Sequence, residues 1–297
     1  MKRDKKIAWS RISSSSLNLK GMQVAIVGGT GGIGRALSRF MSSRGATVTV
    51  VGQTFRDSDV PGIQFIKADL SLMSEAQRVA RLLPAEMLDL LIFTAGIFAG
   101  PKREETPEGI ERDLAVSYLN RLVMLREMAP RLGEKRPKGR IKPRVIVMAY
   151  PGAGQIGTPG DLNAEKSYKS MPQHMNTVAG NEILVLDAAK RYPQINVFGL
   201  NPGLIKTNIR SNLLGQDSLR FRLLERIIGL MTKSAEVYAE QIAPLLVTSD
   251  IEKHSGAMFD SKGQAILPSE GLTDSHIKKF IAASALLLSN TTVRLAS

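Results

Sequence analysis

MQVAIVGGTGGIG, residues 22 to 34, decides the fold. The apolar run Val24 to Val27 reads as a short strand buried on both faces, and it passes directly into a glycine-rich turn. An amphipathic stretch, Arg35 to Ser43, follows as a helix. Strand, glycine turn and helix in that order give the pattern a physical meaning that the glycines alone lack. Gly28 permits the tight turn, Gly32 lets the backbone approach a pyrophosphate, and Gly34 lets the helix lie close on the strand. The helix N-terminus then offers its unpaired amides to phosphate oxygens.

Working outward, the same alternation repeats. ATVTVVG (46 to 52), QFIKADL (64 to 70), LDLLIFTAG (88 to 96), RVIVMAY (144 to 150) and INVFGL (195 to 200) read as strands. Between them lie helical patterns: SEAQRVARLL (74 to 83), with Ser74 expected as its N-cap, and the stretches 107 to 132 and 172 to 191. The strands are continuous apolar runs, as expected when a parallel sheet is covered on both faces. The fold class is therefore α/β, a Rossmann-like doubly wound parallel sheet in a single domain over residues 21 to 297. Farther on, SLRFRLLERIIGLM (218 to 231) and SAEVYAEQIAPLLV (234 to 247) read as helices, and a last strand is expected near Gly256 to Phe259.

A chain of 297 residues with 43% hydrophobic content has ample material for one core. The absence of cysteine excludes disulfides, thiolate nucleophiles and cysteine metal sites. His174, His254 and His276 show no metal-ligand spacing, so no metal is expected. The net charge of +13 gathers in a basic N-terminal extension, residues 1 to 20, and in RLGEKRPKGRIKPR, residues 131 to 144. The second of these precedes a strand and belongs at the amino edge of the sheet, away from the ligand crevice. Few aromatics interleave with the charges, so no nucleic acid is expected, whereas peripheral contact with an anionic membrane and a homodimer stay open. The leader lacks the apolar run of a secretory signal; it is basic and serine-rich like a mitochondrial presequence, but Asp4 and a weak apolar face favour a cytoplasmic location.

In sequence, Val27 to Gly34 resembles the Thr-Gly-x-x-x-Gly-x-Gly turn of the short-chain dehydrogenase/reductase superfamily, with Val27 in place of the threonine. Further matches follow in family order: Asp69 in KADL, TAG at 94 to 96 and NPGLIKT at 201 to 207. GIERDLAVSYLNRLVMLREMAPRL and DLNAEKSY are similar to the retinol-dehydrogenase-like and WW-domain-oxidoreductase-like branch. VGQTFRD, HMNTV and FGLNPGLIKTN resemble a divergent fungal group within it. The resemblance implies an NAD or NADP cofactor held by Gly28, Thr30, Gly32, Ile33 and Gly34 in the turn, Gln53 and Arg56 after the second strand, and Asp69 and Leu70 after the third. It adds Ala95 and Gly96, then Pro202, Gly203, Ile205 and Thr207 near the nicotinamide. It also implies that residues of about 204 to 232 cover the substrate.

Enzymes that use NAD usually place a carboxylate after the second strand to accept from the ribose 2′-hydroxyl; here Gly52 and Gln53 stand at that point. A 2′-phosphate meets no repulsion there, and Arg56 can pair with it, so NADP is slightly favoured.

The family's catalytic residues are Asn, Ser, Tyr and Lys, and motif alignment puts these on Ser117, Tyr150, His174 and Val178. All four are changed. Tyr168 does not restore the pattern, because the residue four positions on is Pro172. Reduction of a carbonyl needs a hydride and a proton, and an imidazolium can supply the proton. His174 is thus the candidate proton donor, Tyr150 a candidate hydrogen-bond donor to the carbonyl, and Thr177, on the same helical face, a candidate for the ribose. Without the lysine cation, substrates that accept hydride readily are expected, aldehydes before ketones. Two other readings stay open: a dinucleotide-binding protein without turnover, acting as sensor or interaction module, and a redox-neutral isomerase.

Overall fold

The computed structural model describes residues 1 to 98, 100 to 203, 205 and 233 to 295. Eight strands form one sheet in the order β3-β2-β1-β4-β5-β6-β7-β8. They are β1 (Gln23–Val27), β2 (Thr47–Gly52), β3 (Ile63–Lys67), β4 (Leu90–Phe93), β5 (Arg144–Met148), β6 (Asn196–Leu200), β7 (Met258–Phe259) and β8 (Ala265–Ile266). The first seven run parallel, and β8 closes the edge antiparallel to β7. The direction of the sheet reverses between β1 and β4, which is where such folds open a ligand crevice.

Helices cover both faces. They are α1 (Gly32–Ser43), α2 (Met73–Leu82), α3 (Arg112–Leu114), a π-helical turn Ala115–Leu119 that leads into α4 (Asn120–Met128), α5 (Ser170–Arg191), α6 (Ala235–Val247) and α7 (Asp274–Ser289). Alternate side chains of β1 serve opposite cores. Val24 and Ile26 join the core under α1 and α6, and Ala25 and Val27 the core under α2, α4 and α5. This two-sided burial is why the strands read as unbroken apolar runs. The helix SLRFRLLERIIGLM and the substrate-covering segment read from sequence lie outside the described residues.

Three features depart from the sequence reading or add to it. Ser74 does not cap α2; the amides of Met73 and Ser74 donate instead to the carboxylate of Glu108, a long-range cap with no local signature. The N-terminal residues are not a free extension, since Arg3 bridges Ile266, the Asp4 amide donates to Ala265, and Leu17 and Leu19 are buried. They cover the outer edge strand, which would otherwise present unpaired amides to solvent. The tail after β7 holds β8 and α7, which the sequence reading left undivided; Thr273, whose hydroxyl accepts from the His276 amide, is the cap that marks α7.

The basic loop behaves as its position requires. Arg136 and Arg140 close on Asp89, just before β4, and the same carboxylate accepts from the Gln23 amide at the start of β1. Its charge is spent at the amino edge, opposite the crevice. No described helix is long and apolar enough to cross a membrane.

Candidate active site

The glycine turn is as crowded on one side as it is open on the other. A Cβ at Gly28, whose φ is +91°, would lie 2.4 Å from the Ala95 nitrogen, and one at Gly34 would lie 2.4 Å from the Gly28 oxygen. At Gly31 a Cβ would meet nothing within 4 Å. The turn therefore packs its backbone against the exit of β4 and leaves its outer side free. Gly31 caps α1 without a side chain, so no side-chain acceptor occupies the helix N-terminus. An open cradle of backbone amides fits a pyrophosphate. Thr30, Gly32 and Ile33 complete this turn.

Around it, the carboxyl ends of neighbouring strands gather the other expected cofactor residues. Gln53 and Arg56 follow β2, with Arg56 donating to the Thr30 carbonyl at 3.0 Å. Asp57, the nearest carboxylate after β2, is buried and held by Arg35 and Arg39 at 2.7 Å each, so it is not presented to a ribose. Asp69 and Leu70 follow β3. Burial works to raise the Asp69 carboxyl, but hydrogen bonds from the Ser71 hydroxyl and amide and from Gln53 outweigh it and hold it below the ordinary range. Leu70 is buried and Ala95 and Gly96 follow β4. Pro202, Gly203 and the buried Ile205 follow β6, whereas Thr207 lies outside the described residues.

The positions that replace the family's catalytic residues are brought to the same end of the sheet. Helix α5 carries His174 in its first turns, and Nδ1 lies 2.7 Å from Asp113 Oδ2. The Asp113 side chain is fully buried and that of His174 is 13% exposed. The other carboxylate oxygen, Oδ1, accepts from the Ser117 hydroxyl at 2.5 Å, and Ser117 Oγ in turn accepts from the Ile97 amide at 3.0 Å. An ionised carboxylate only accepts, so Nδ1 carries a proton. Nε2 has no partner among the described residues. The Phe98 ring stacks on the imidazole with centroids 3.8 Å apart.

Local structure explains why Asp113 points there. Glu111 caps α3 by accepting from the amides of Asp113 and Leu114, and Gln173 donates to the same carboxylate at 3.1 Å. Glu111 with Gln173, and Asp113 with His174, are two adjacent rungs between α3 and α5. Burial raises the Glu111 carboxyl despite the amides that hydrogen-bond to it. The π-helical turn carries Ser117 toward Ile97, and the Asn120 side-chain amide donates to the Ala115 and Val116 carbonyls of that turn.

Other expectations meet different fates. Tyr150 stands just beyond β5, 44% exposed, with no described contact to His174. Thr177 is buried and its hydroxyl donates to the His174 carbonyl at 2.7 Å, inside its own helix. Val178 is buried apolar packing. Tyr168 donates to the Gly100 carbonyl, and burial together with Glu111, Asp113 and Glu104 pushes its hydroxyl up to about 12. Arg121, which the sequence reading did not single out, is buried behind the site and donates to the carbonyls of Met148 and Ala95 and to Asn181. Burial lowers it to about 9.

Comparison with known proteins agrees with this geometry. Residues 22 to 148 match the short chain dehydrogenase family model. An uncharacterized oxidoreductase of Saccharomyces cerevisiae is 51% identical over 97% of this chain and 94% of its own length. The chain belongs to the short-chain dehydrogenase family. Human retinol dehydrogenase 12 is a more distant relative, 26% identical over 84% of this chain and 80% of its own. Among solved structures, an uncharacterized protein from Mycobacterium paratuberculosis superposes with a TM-score of 0.68 at 16% identity, covering 96% of this chain and all (100%) of that one. A short-chain dehydrogenase/reductase from Serratia marcescens gives 0.59 at 20% identity over 84% of this chain and 99% of its own. These two likenesses show the shared fold. As a member of the short-chain dehydrogenase family, the chain is an oxidoreductase whose glycine cradle fits NAD or NADP.

Proposed function

We propose that the protein is an NAD(P)H-dependent reductase of reactive carbonyl compounds, aldehydes first, in which His174 donates the proton and Tyr150 assists. The observation that carries this reading is His174 itself: Nδ1 is engaged by a buried carboxylate and Nε2 is left without a described partner. The nicotinamide supplies the hydride when bound. The carbonyl carbon accepts it with two electrons, and the carbonyl oxygen takes the proton from Nε2 to give an alcohol. The neutral imidazole then recovers a proton from water. Aldehydes are favoured because no cation stands at Val178 and the guanidinium of Arg121 is committed to backbone carbonyls.

NADPH is the preferred donor in this reading. Arg56 lies over the turn, Gln53 is neutral, and Asp57 is turned inward onto two arginines. Oxidation of NADPH and NADH against matched aldehydes and ketones, run beside direct cofactor binding, tests it. Turnover of aldehydes with NADPH is expected. Binding without turnover on any carbonyl would replace this reading with that of a dinucleotide-dependent sensor.

A further inference from the structure

We propose that Asp113 is the positioning residue of this site: its buried carboxylate fixes the ring and tautomer of His174 and balances the imidazolium charge. The inference rests on His174 being the proton donor and names what makes it competent.

Among the described residues, every polar side-chain atom of the pair is engaged but one. Asp113 has two oxygens, and both are assigned, Oδ2 to His174 Nδ1 and Oδ1 to the Ser117 hydroxyl. Ser117 is itself anchored on Ile97, in the segment that leaves β4, so the carboxylate cannot rotate without breaking a bond at the end of the sheet. Glu111 sets the first turn of α3 and Phe98 sets the plane of the ring. Only Nε2 remains, on the ring edge remote from the carboxylate. A proton held on Nδ1 leaves the Nε2 proton as the one that can depart, and after it departs the lone pair stays at Nε2.

Charge follows the same plan. The proton that departs from Nε2 in this reading departs from an imidazolium, and Asp113 is the acid in contact with that ring. Among the described residues, the other charged and titratable groups around the pair are Glu111 on the α3 cap, Tyr168 in the loop before α5, Arg121 on α4, and Arg103 and Glu104 beyond Tyr168. Tyr168, pushed up to about 12, keeps its proton, and Asp113 acts on Arg121 through space, opposing in part the burial that lowers it. In the family a lysine four residues past the tyrosine supplies fixed charge beside the proton donor. Here the fixed charge is an anion behind the donor, and the donor itself becomes the cation.

A purely structural tie between α3 and α5 would share this geometry, so the test needs a readout that such a tie does not move. Asp113→Asn preserves shape, but with Ser117 donating to its oxygen the amide turns an N–H toward Nδ1 and places the neutral-ring proton on Nε2. The expected result is a fall in kcat/KM for aldehyde reduction of about 10²-fold to 10⁴-fold. The alkaline limb of the activity profile should move to lower pH, KM for NADPH should hold, and the ¹⁵N signals of His174 should report the switched tautomer. Ser117→Ala, which loosens the carboxylate and keeps its charge, should lose about 10-fold, and it serves if the asparagine variant does not fold. Unchanged ¹⁵N signals, or a wild-type pH profile in both variants, would overturn the proposal. Loss of activity in His174→Ala but not in Asp113→Asn overturns it alone; activity indifferent to His174→Ala overturns the proton-donor reading instead.

Discussion

Arg56 Nη1 donates to the Thr30 carbonyl at 3.0 Å, which lays an exposed guanidinium across the glycine turn. Removing it tests the cofactor preference directly. A charge-assisted bond to a 2′-phosphate contributes about 1.5 to 3 kcal/mol. Arg56→Ala should therefore raise the Kd for NADPH by about 10-fold to 100-fold and leave NADH nearly unchanged. Equal effects on both cofactors would place Arg56 outside phosphate recognition.

Proton donation by His174 has a sign. Reduction consumes the protonated ring, so kcat/KM for aldehyde should fall as pH rises through the titration of His174, and alcohol oxidation should rise over the same range. His174→Ala should cost about 10²-fold to 10⁴-fold at neutral pH. A rate that is flat across that range and survives the substitution would dismiss His174.

Burial and the charges of Glu111 and Asp113 push the Tyr168 hydroxyl up to about 12. It cannot produce a limb in the pH profile near neutrality. Tyr168→Phe should thus leave the shape of the profile intact, losing only the bond to Gly100. A shifted limb in that variant would make the tyrosine a participant.

Glu182 on α5 is buried and accepts from the Gly152 amide and from the amide and hydroxyl of Ser269, tying the loop after β5 to the segment before α7. Burial raises its carboxyl above the ordinary value, against those hydrogen bonds. A raised folded-state value means that the folded form binds the proton more tightly. Its contribution is therefore full below the ordinary carboxylate range and is lost as pH rises through the raised value. Compared with Glu182→Gln, the wild type should lose relative stability between about pH 4.5 and neutrality, measured by denaturant melts, with Glu111 common to both. Glu182→Ala strands two backbone amides and should cost about 2 to 4 kcal/mol at the acid end of that window and less as pH rises. A difference between wild type and Glu182→Gln that does not vary with pH would refute the linkage.

Much of this molecule is legible in its sequence because the controlling forces are local. The apolar runs, the glycines at 28 and 34 and the period of α1 and α5 specify a strand, a turn and helices through burial and sterics that neighbouring residues decide. That was enough to give a doubly wound parallel sheet, the glycine turn after its first strand and a helix that carries His174. The cap on α2 was not legible, since Glu108 reaches it from 34 residues away. The bond that the Thr177 hydroxyl donates to the His174 carbonyl, inside its own helix, was not read from the sequence either.

The sequence by itself determined that a dinucleotide fold carries a histidine where a tyrosine is usual. Only the tertiary structure decided what that histidine can do. Asp113 and His174 lie 61 positions apart and meet because α3 and α5 pack side by side, and the burial that strengthens their contact exists only once both helices are in place. Pattern and propensity act along the chain, but the direction of a proton depends on which groups share a dry space, and that is a property of the assembled fold.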